Sequence, residues 1–322
     1  GLRRDSNEGF VVDSGEQMRE RLGGALIEAL TKLGVVLTPP LPSPARGGSI
    51  LLLPLTVTGR LHGGRVDVDG SSSQYVSALL ISCPVAQHDS EIHVRNLQER
   101  PYMEMTLKWL DDLGVEYVHE KNEGEDIFSI KGGQTYGAID KIIPADFSSA
   151  SYLLAAGAMV SGEVKVHGLD FGDAQGDKRL IEILRDMGAE MNIEGKDITM
   201  AGGKKLQGIR IDANDIPDLL PTLAVLGTVA EGETEIVNVP HARDKETDRI
   251  RSMTEGLRAM GAHVEERDDG LTVYRSHLDG ASVHGYNDHR TIMALSLAGM
   301  VADGTTYIDT DEGIRKTYPR YF

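Results

Sequence analysis

Two kinds of helix alternate along this chain. In the first, apolar residues recur at i, i+3, i+4 and i+7, the spacing of a helix with one buried face. The segments are ALIEALTKLGVVL (25–37), MTLKWLDDLGVEYV (105–118), RLIEILRDMGAEMNI (179–193) and SMTEGLRAMGAHVEE (252–266). Each runs through a leucine or methionine into a glycine and then a strand. Gly34, Gly114, Gly188 and Gly261 follow one another at intervals of 80, 74 and 73 residues, and each stands where a helix ends in a left-handed residue. The second kind is apolar nearly all round and rich in Ala and Leu: residues 71–86, 146–162, 215–232 and 286–304. Such helices belong inside a core. Short strands follow them, at 91–97, 163–169, 234–239 and 305–310, and others precede them, such as 64–70 and 208–213. The pattern predicts an internal repeat of strand, buried helix, strand, amphipathic helix and further strands, about 75 residues long. Sheets are expected outside and Ala-rich helices within.

The pattern is interrupted in three places. Residues 38–49 (TPPLPSPARGGS) read as an irregular loop. Residues 1–12 show no repeat unit, although a buried helix is expected before Ala25. At PRYF (319–322) the chain stops where an amphipathic helix is due.

The buried helices start on polar residues: Ser71, Ser72, Ser73 and Gln74; Asp146, Ser148 and Ser149; Asp215 and Asp218; Asn287, Asp288, His289 and Arg290. Capping accounts for one Ser or Asp per helix, not for three or four polar residues. Unpaired N–H groups at several helix starts could converge on anionic ligands. A further polar stretch, VPHARDKETDRIR (239–251), lies between a strand-like run (234–239) and a helix-like run (250–260). It places Lys245 and Arg249 as cations and Glu246 as a proton-transfer group at one helix start. By itself it would read as a solvated, salt-bridged helix start; three other polar starts in the same repeat favour an anion pocket.

Composition narrows the partners. The 322 residues are 40% hydrophobic and 26% charged, ordinary for a globular protein of two domains. A formal net charge of −17 argues against nucleic acid. An anionic substrate then needs a local cationic pocket. The single cysteine, Cys83, excludes an intrachain disulfide and a cysteine-based zinc site. It sits at the end of an apolar helix and reads as a buried small hydrophobe rather than a nucleophile. No apolar run reaches the roughly 20 residues of a membrane span, and GLRRDSNEGF has no signal-peptide core. A reducing, cytoplasmic compartment fits.

Seven motifs together resemble one family, 5-enolpyruvylshikimate-3-phosphate (EPSP) synthase, an enolpyruvyl transferase. They are DGSSSQYVSALL (69–80), RPYMEMTL (100–107), ADFSSASYLLAAGA (145–158), IPDLLPTLAV (216–225), DKETDRI (244–250), YNDHRTIMALSL (286–297) and RKTYPRYF (315–322), in family order. The resemblance implies two inside-out α/β domains built from repeated βαβαββ units, here 1–143 and 144–322. It implies transfer of the enolpyruvyl group of phosphoenolpyruvate to the 5-hydroxyl of shikimate 3-phosphate, with release of phosphate and without a metal or organic cofactor. Its substrates are small molecules, and the chain is expected to act as a monomer with no nucleic-acid or membrane partner. Position by position, it implies that Ser72, Ser73 and Gln74 hold shikimate 3-phosphate and Tyr102 lines its ring. Asp218 would bind the shikimate hydroxyls and move the proton of the attacking oxygen. Lys245 would touch the same substrate, and Glu246 would carry the proton at the enol methylene. Arg21, Arg249, Arg290 and Lys316 would surround phosphoenolpyruvate, with His289 beside the developing tetrahedral centre.

The family's N-terminal Lys-Ser pair, a further Arg and an Asn-Gly-Thr loop have no match, so the resemblance implies a chain lacking the N-terminal unit. Glu99 stands where the family usually has a serine on the substrate phosphate, and a carboxylate there repels phosphate. Leu22 replaces a proline, and His241 stands where asparagine is common. Two alternatives stay open: a non-catalytic relative that folds and binds a phosphorylated ligand, and a transferase acting on UDP-N-acetylglucosamine.

Overall fold

A computed structural model describes residues 9–14, 23–38 and 53–322, and all but the side chain of Lys316 among them. Two compact units divide the chain, Gly1–Lys141 and Ile142–Phe322.

In the first unit the complete repeat runs β4 (Gly64–Asp69), α2 (Ser73–Ser82), β5 (Ser90–Arg95), α3 (Arg100–Asp112), β6 (Tyr117–Asn122) and β7 (Glu125–Ile130). The helical crossover α2 makes β4 and β5 parallel, while the two-residue turn between β6 and β7 makes them antiparallel. The sheet order is therefore β4-β5-β7-β6. Inward residues alternate along it: Val66 and Val68, Ile92 and Val94, Phe128 and Ile130. They pack on α2 (Val76, Leu79, Leu80) and α3 (Met103, Leu107, Leu110). Before this repeat lie β1 (Phe10–Val12), α1 (Gly24–Lys32), β2 (Val35–Thr38) and β3 (Leu55–Gly59). Their sheet, β1-β3-β2, has the order of the last three strands of the complete repeat. Residues 1–12, which show no repeat unit in the sequence, thus contribute one of its strands. The expected loop at 38–49 lies, apart from Thr38, outside the described residues.

The second unit repeats the scheme. It contains α4 (Phe147–Met159), β8 (Glu163–Val166), α5 (Leu180–Asp186), β9 (Glu190–Glu194), β10 (Asp197–Ala201), β11 (Arg210–Asp212), α6 (Leu220–Val229), β12 (Glu233–Val237), α7 (Arg249–Ala259), β13 (Val264–Arg267), β14 (Gly270–Tyr274), β15 (Ser282–Val283), α8 (His289–Val301) and β16 (Tyr307–Ile308). The sheets are β8-β10-β9, β11-β12-β14-β13 and β15-β16. One continuous core joins α4, α6 and α8 to the inner faces of these strands. In α6, nine of ten residues are buried: Leu220 to Thr228 without a gap. The helices approach the sheet closely through glycine. A Cβ on Gly227 would lie 2.9 Å from Val273 Cβ and 3.1 Å from Thr234 Cβ, and one on Gly157 would lie 3.0 Å from Val164 Cβ.

The four glycines that end α1, α3, α5 and α7 are all left-handed, with φ from +70° to +98°. The stretch 239–251 differs from the expected strand-to-helix passage. A 3-10 turn, Pro240–Asp244, intervenes, and α7 opens at Arg249. No helix among the described residues is long and apolar enough to cross a membrane.

Candidate functional site

Four chain segments of the second unit bring their first residues to one buried ion cluster. Asp218 comes from the 3-10 turn Pro217–Leu219 ahead of α6. Glu246 comes from the loop before α7, Arg249 from the first position of α7, and Asp288, His289 and Arg290 from the start of α8. Asp288 caps α8 by accepting from the Arg290 backbone N–H at 2.9 Å. Asp248 caps α7, accepting from Arg251 N–H at 3.0 Å. Capping by aspartate fixes the direction of each helix start and so aims the neighbouring side chains.

Arg249 is the hub. Its guanidinium is 1% exposed and donates to three carboxylates: Nε to Asp288 Oδ2 at 2.9 Å, Nη1 to Asp218 Oδ1 at 2.6 Å, and Nη2 to Glu246 Oε2. Arg290 Nη2 donates to the other oxygen of Asp218 at 2.6 Å, so Asp218 bridges two arginines. Burial pushes the Asp218 carboxyl up, but the Arg290 and Arg249 guanidiniums outweigh it and hold it below the ordinary range. Burial likewise acts on Asp288, and Arg249 again reverses it. His289, with Nδ1 3.6 Å from Asp288 Oδ1, is pushed down by burial and then by Arg290, which favours the neutral imidazole.

Asp177 was not singled out from the sequence. It lies in the 3-10 turn Gly176–Arg179 before α5, is 1% exposed, and accepts from the Ser148 hydroxyl at the start of α4. Burial and the negative charge of Asp218 raise its carboxyl, against the pull of Arg290. The one sequence signal is an acidic residue beside the start of an amphipathic helix, which is too common to find it. Asp288, one of the polar residues at the helix starts, is both cap and arginine anchor.

Of the remaining expected residues, Lys245 is half-buried at the end of the Pro240–Asp244 turn. Lys316 belongs to the 3-10 turn Asp311–Lys316, which packs on α8. Arg21 lies outside the described residues. In the first unit, Ser72, Ser73 and Gln74 open α2. Ser72 is the N-cap residue, yet its side chain makes no capping bond; capping therefore does not account for it. Gln74 is exposed, and Ser73 is buried with its hydroxyl donating to Glu99 Oε2 at 2.8 Å. Tyr102 lines an apolar groove of about 420 Å³ with Ile81, Met105, Trp109 and Tyr136. Cys83 is fully buried, which pushes its thiol up and away from nucleophilic use. Asp67, His93 and Glu125 bring ligand-type atoms within 4.8 Å of one another. His93 Nε2 already lies 2.6 Å from Glu91 Oε1, and its Nδ1 lies 3.3 Å from Glu125 Oε1.

Buried helices inside, sheets outside and an arginine–carboxylate cluster at the helix starts define an enolpyruvyl-transferase-like fold. The EPSP synthase of Acinetobacter baumannii superimposes with a TM-score of 0.73 at 23% identity, over 97% of this chain and 72% of that one. The enolpyruvyl transferase NikO of Streptomyces tendae does so at 0.71 and 19% identity, over 92% and 68%. In sequence, the model of the family EPSP synthase (3-phosphoshikimate 1-carboxyvinyltransferase) matches residues 3–322. The 3-phosphoshikimate 1-carboxyvinyltransferases of Acetivibrio thermocellus and Methanothrix thermoacetophila are 44% and 46% identical, each over 98% of this chain and 72% of their own length. The chain belongs to the EPSP synthase family.

Proposed function

We propose that this chain transfers the enolpyruvyl group of phosphoenolpyruvate to the 5-hydroxyl of shikimate 3-phosphate and releases phosphate. The observation that supports this reading is the Arg249 hub, in a chain whose relatives carry that activity's name. The reaction needs a proton delivered to the enol C3 while the hydroxyl oxygen bonds to C2. It then needs that proton removed from C3 as the C2–O bond to phosphate breaks. Two carboxylates in different surroundings suit these tasks. Asp218, held ionised by two arginines, takes the proton of the attacking hydroxyl. Glu246 works at C3.

The three carboxylates on Arg249 are not equally held. Asp288 is fully buried, Asp218 is 19% exposed and Glu246 is 30% exposed. An incoming anion that claims Arg249 therefore displaces Glu246 first; parted from the guanidinium, the carboxylate takes up a proton from solvent, gives it to C3 in the addition and takes one back from C3 in the elimination. Arg290 and Lys316 share the phosphate and carboxylate charges. A neutral His289 donates one hydrogen bond to charge building at the tetrahedral centre. Ser72, Ser73, Gln74 and Tyr102 of the first unit bind the acceptor.

The test is phosphate release on mixing the protein with both substrates. Release is expected only when both are present. Glu246→Gln should lower kcat about 10²–10⁴-fold, the usual worth of a general acid–base group, with KM for phosphoenolpyruvate within a few fold. Absence of release from the unaltered protein would reject the reading in favour of a non-catalytic relative.

A further inference from the structure

A serine hydroxyl has one hydrogen to donate. At the start of α2 the Ser73 hydroxyl points that hydrogen at Glu99 Oε2, 2.8 Å away. Both partners are buried, Ser73 at 2% and Glu99 at 3% exposure. Glu99 reaches this place because its backbone is left-handed, φ +53°, at the N-cap of α3. That conformation is uncommon for a residue with a side chain, so the contact is built into the turn and is not a surface accident. Glu99 makes no side-chain cap of its own helix.

Resting on the acceptor assignment above, we infer that Glu99 is a specificity-determining residue that weakens capture of the acceptor's phosphate. A phosphate dianion offers acceptors only. With Glu99 in place, Ser73 presents lone pairs to a ligand, and its one donor is spent on a carboxylate. The phosphate must take that hydrogen from a competing anion that stands within hydrogen-bond reach of the same oxygen. A hydroxyl group suffers no such competition, because it can donate to Ser73. Glu99 therefore narrows the preference for a phosphorylated acceptor over the same ring bearing a free hydroxyl.

Glu99→Gln keeps size and turn geometry, removes the charge and adds N–H donors. Glu99→Ser removes the competitor and adds a hydroxyl. Calorimetric titration of the full chain and both variants with shikimate 3-phosphate and with shikimate separates the cases, with thermal melts confirming that each variant folds. Both variants should bind shikimate 3-phosphate at least tenfold more tightly, while shikimate changes less than twofold. An unchanged or weaker affinity of Glu99→Gln for shikimate 3-phosphate overturns the inference, and so does an equal shift for both ligands. Absence of shikimate 3-phosphate binding to all three proteins overturns the acceptor assignment, and the inference with it. Binding by the unaltered chain keeps the two questions apart.

Discussion

Replacing Arg249 by methionine removes one cation and leaves Asp218, Glu246 and Asp288 facing one another with their shared donor gone. Breaking a buried ion pair from one side costs about 3–5 kcal/mol, so the urea midpoint should fall by that much over the slope. A loss under about 1 kcal/mol, ordinary for an exposed pair, would mean that the cluster does not hold the second unit together. Acidity offers a second test, with two opposite signs. Asp218 is depressed, so its contribution is present above the unfolded carboxyl value of about 3.9 and is lost as pH falls through its lower folded value. Asp177 is raised, so its contribution is present below about 3.9 and is lost as pH rises through its higher folded value. Melting temperature against pH should therefore lose part of its acid fall in Asp218→Asn. In Asp177→Asn the variant should gain on the unaltered protein as pH rises towards neutrality. Parallel curves for all three proteins would refute both assignments. At this scale the sequence was informative about which residue types cluster, since DKETD and NDHR are dense in charge. It was silent on partners, because Arg249 meets Asp218 across 31 positions and Arg290 meets it across 72. Asp177 stayed hidden for the same reason.

At the scale of elements, the glycines divide into two classes that sequence treats unequally. Those ending α1, α3, α5 and α7 were legible, because a left-handed residue after an amphipathic helix has few alternatives to glycine. Gly227 inside α6 was not, since a small residue in an apolar helix looks like filler. Its reason is spatial: the backbone rests on Thr234 and Val273, whose contacting atoms are Cβ atoms rooted in strands. Gly227→Ala gains about 1 kcal/mol of helix propensity but forces a methyl into a gap of 2.9 Å. Overpacking of this kind costs about 1–3 kcal/mol, so the variant is expected to be less stable, by differential scanning calorimetry. A rise in melting temperature would show that helix and sheet can part freely there. The strand and the helix that flank 239–251 stand where the pattern puts them, but Pro240 and Ala242 at the head of a charged run give no sign of the 3-10 turn between them. That turn lies between β12 and Lys245, and the loop after it carries Lys245 and Glu246 up to the start of α7 at Arg249.

Across the whole molecule, the repeat was readable because every copy must bury one apolar helix under one sheet. Its copies are unequal, which periodicity alone does not reveal. Within the second unit no strand precedes α4 among the described residues, where Ile142 stands 92% exposed. The formal net charge is −17, yet Arg249 is buried within the cluster and the Arg290 side chain is only 11% exposed. The burial of α6 carries a consequence for how the second unit breathes. Amides in a helix with no exposed flank exchange with solvent only when the surrounding unit opens as a whole. In deuterium-exchange mass spectrometry the peptide spanning Leu220–Val229 should be the last to label, and Gly24–Lys32, with only Ala29 fully buried, among the first. Equal labelling of the two would contradict a cooperative core around α6. If the order holds, α6 is the clock of this protein: its exchange rate reads the global opening of the second unit directly, with no denaturant added.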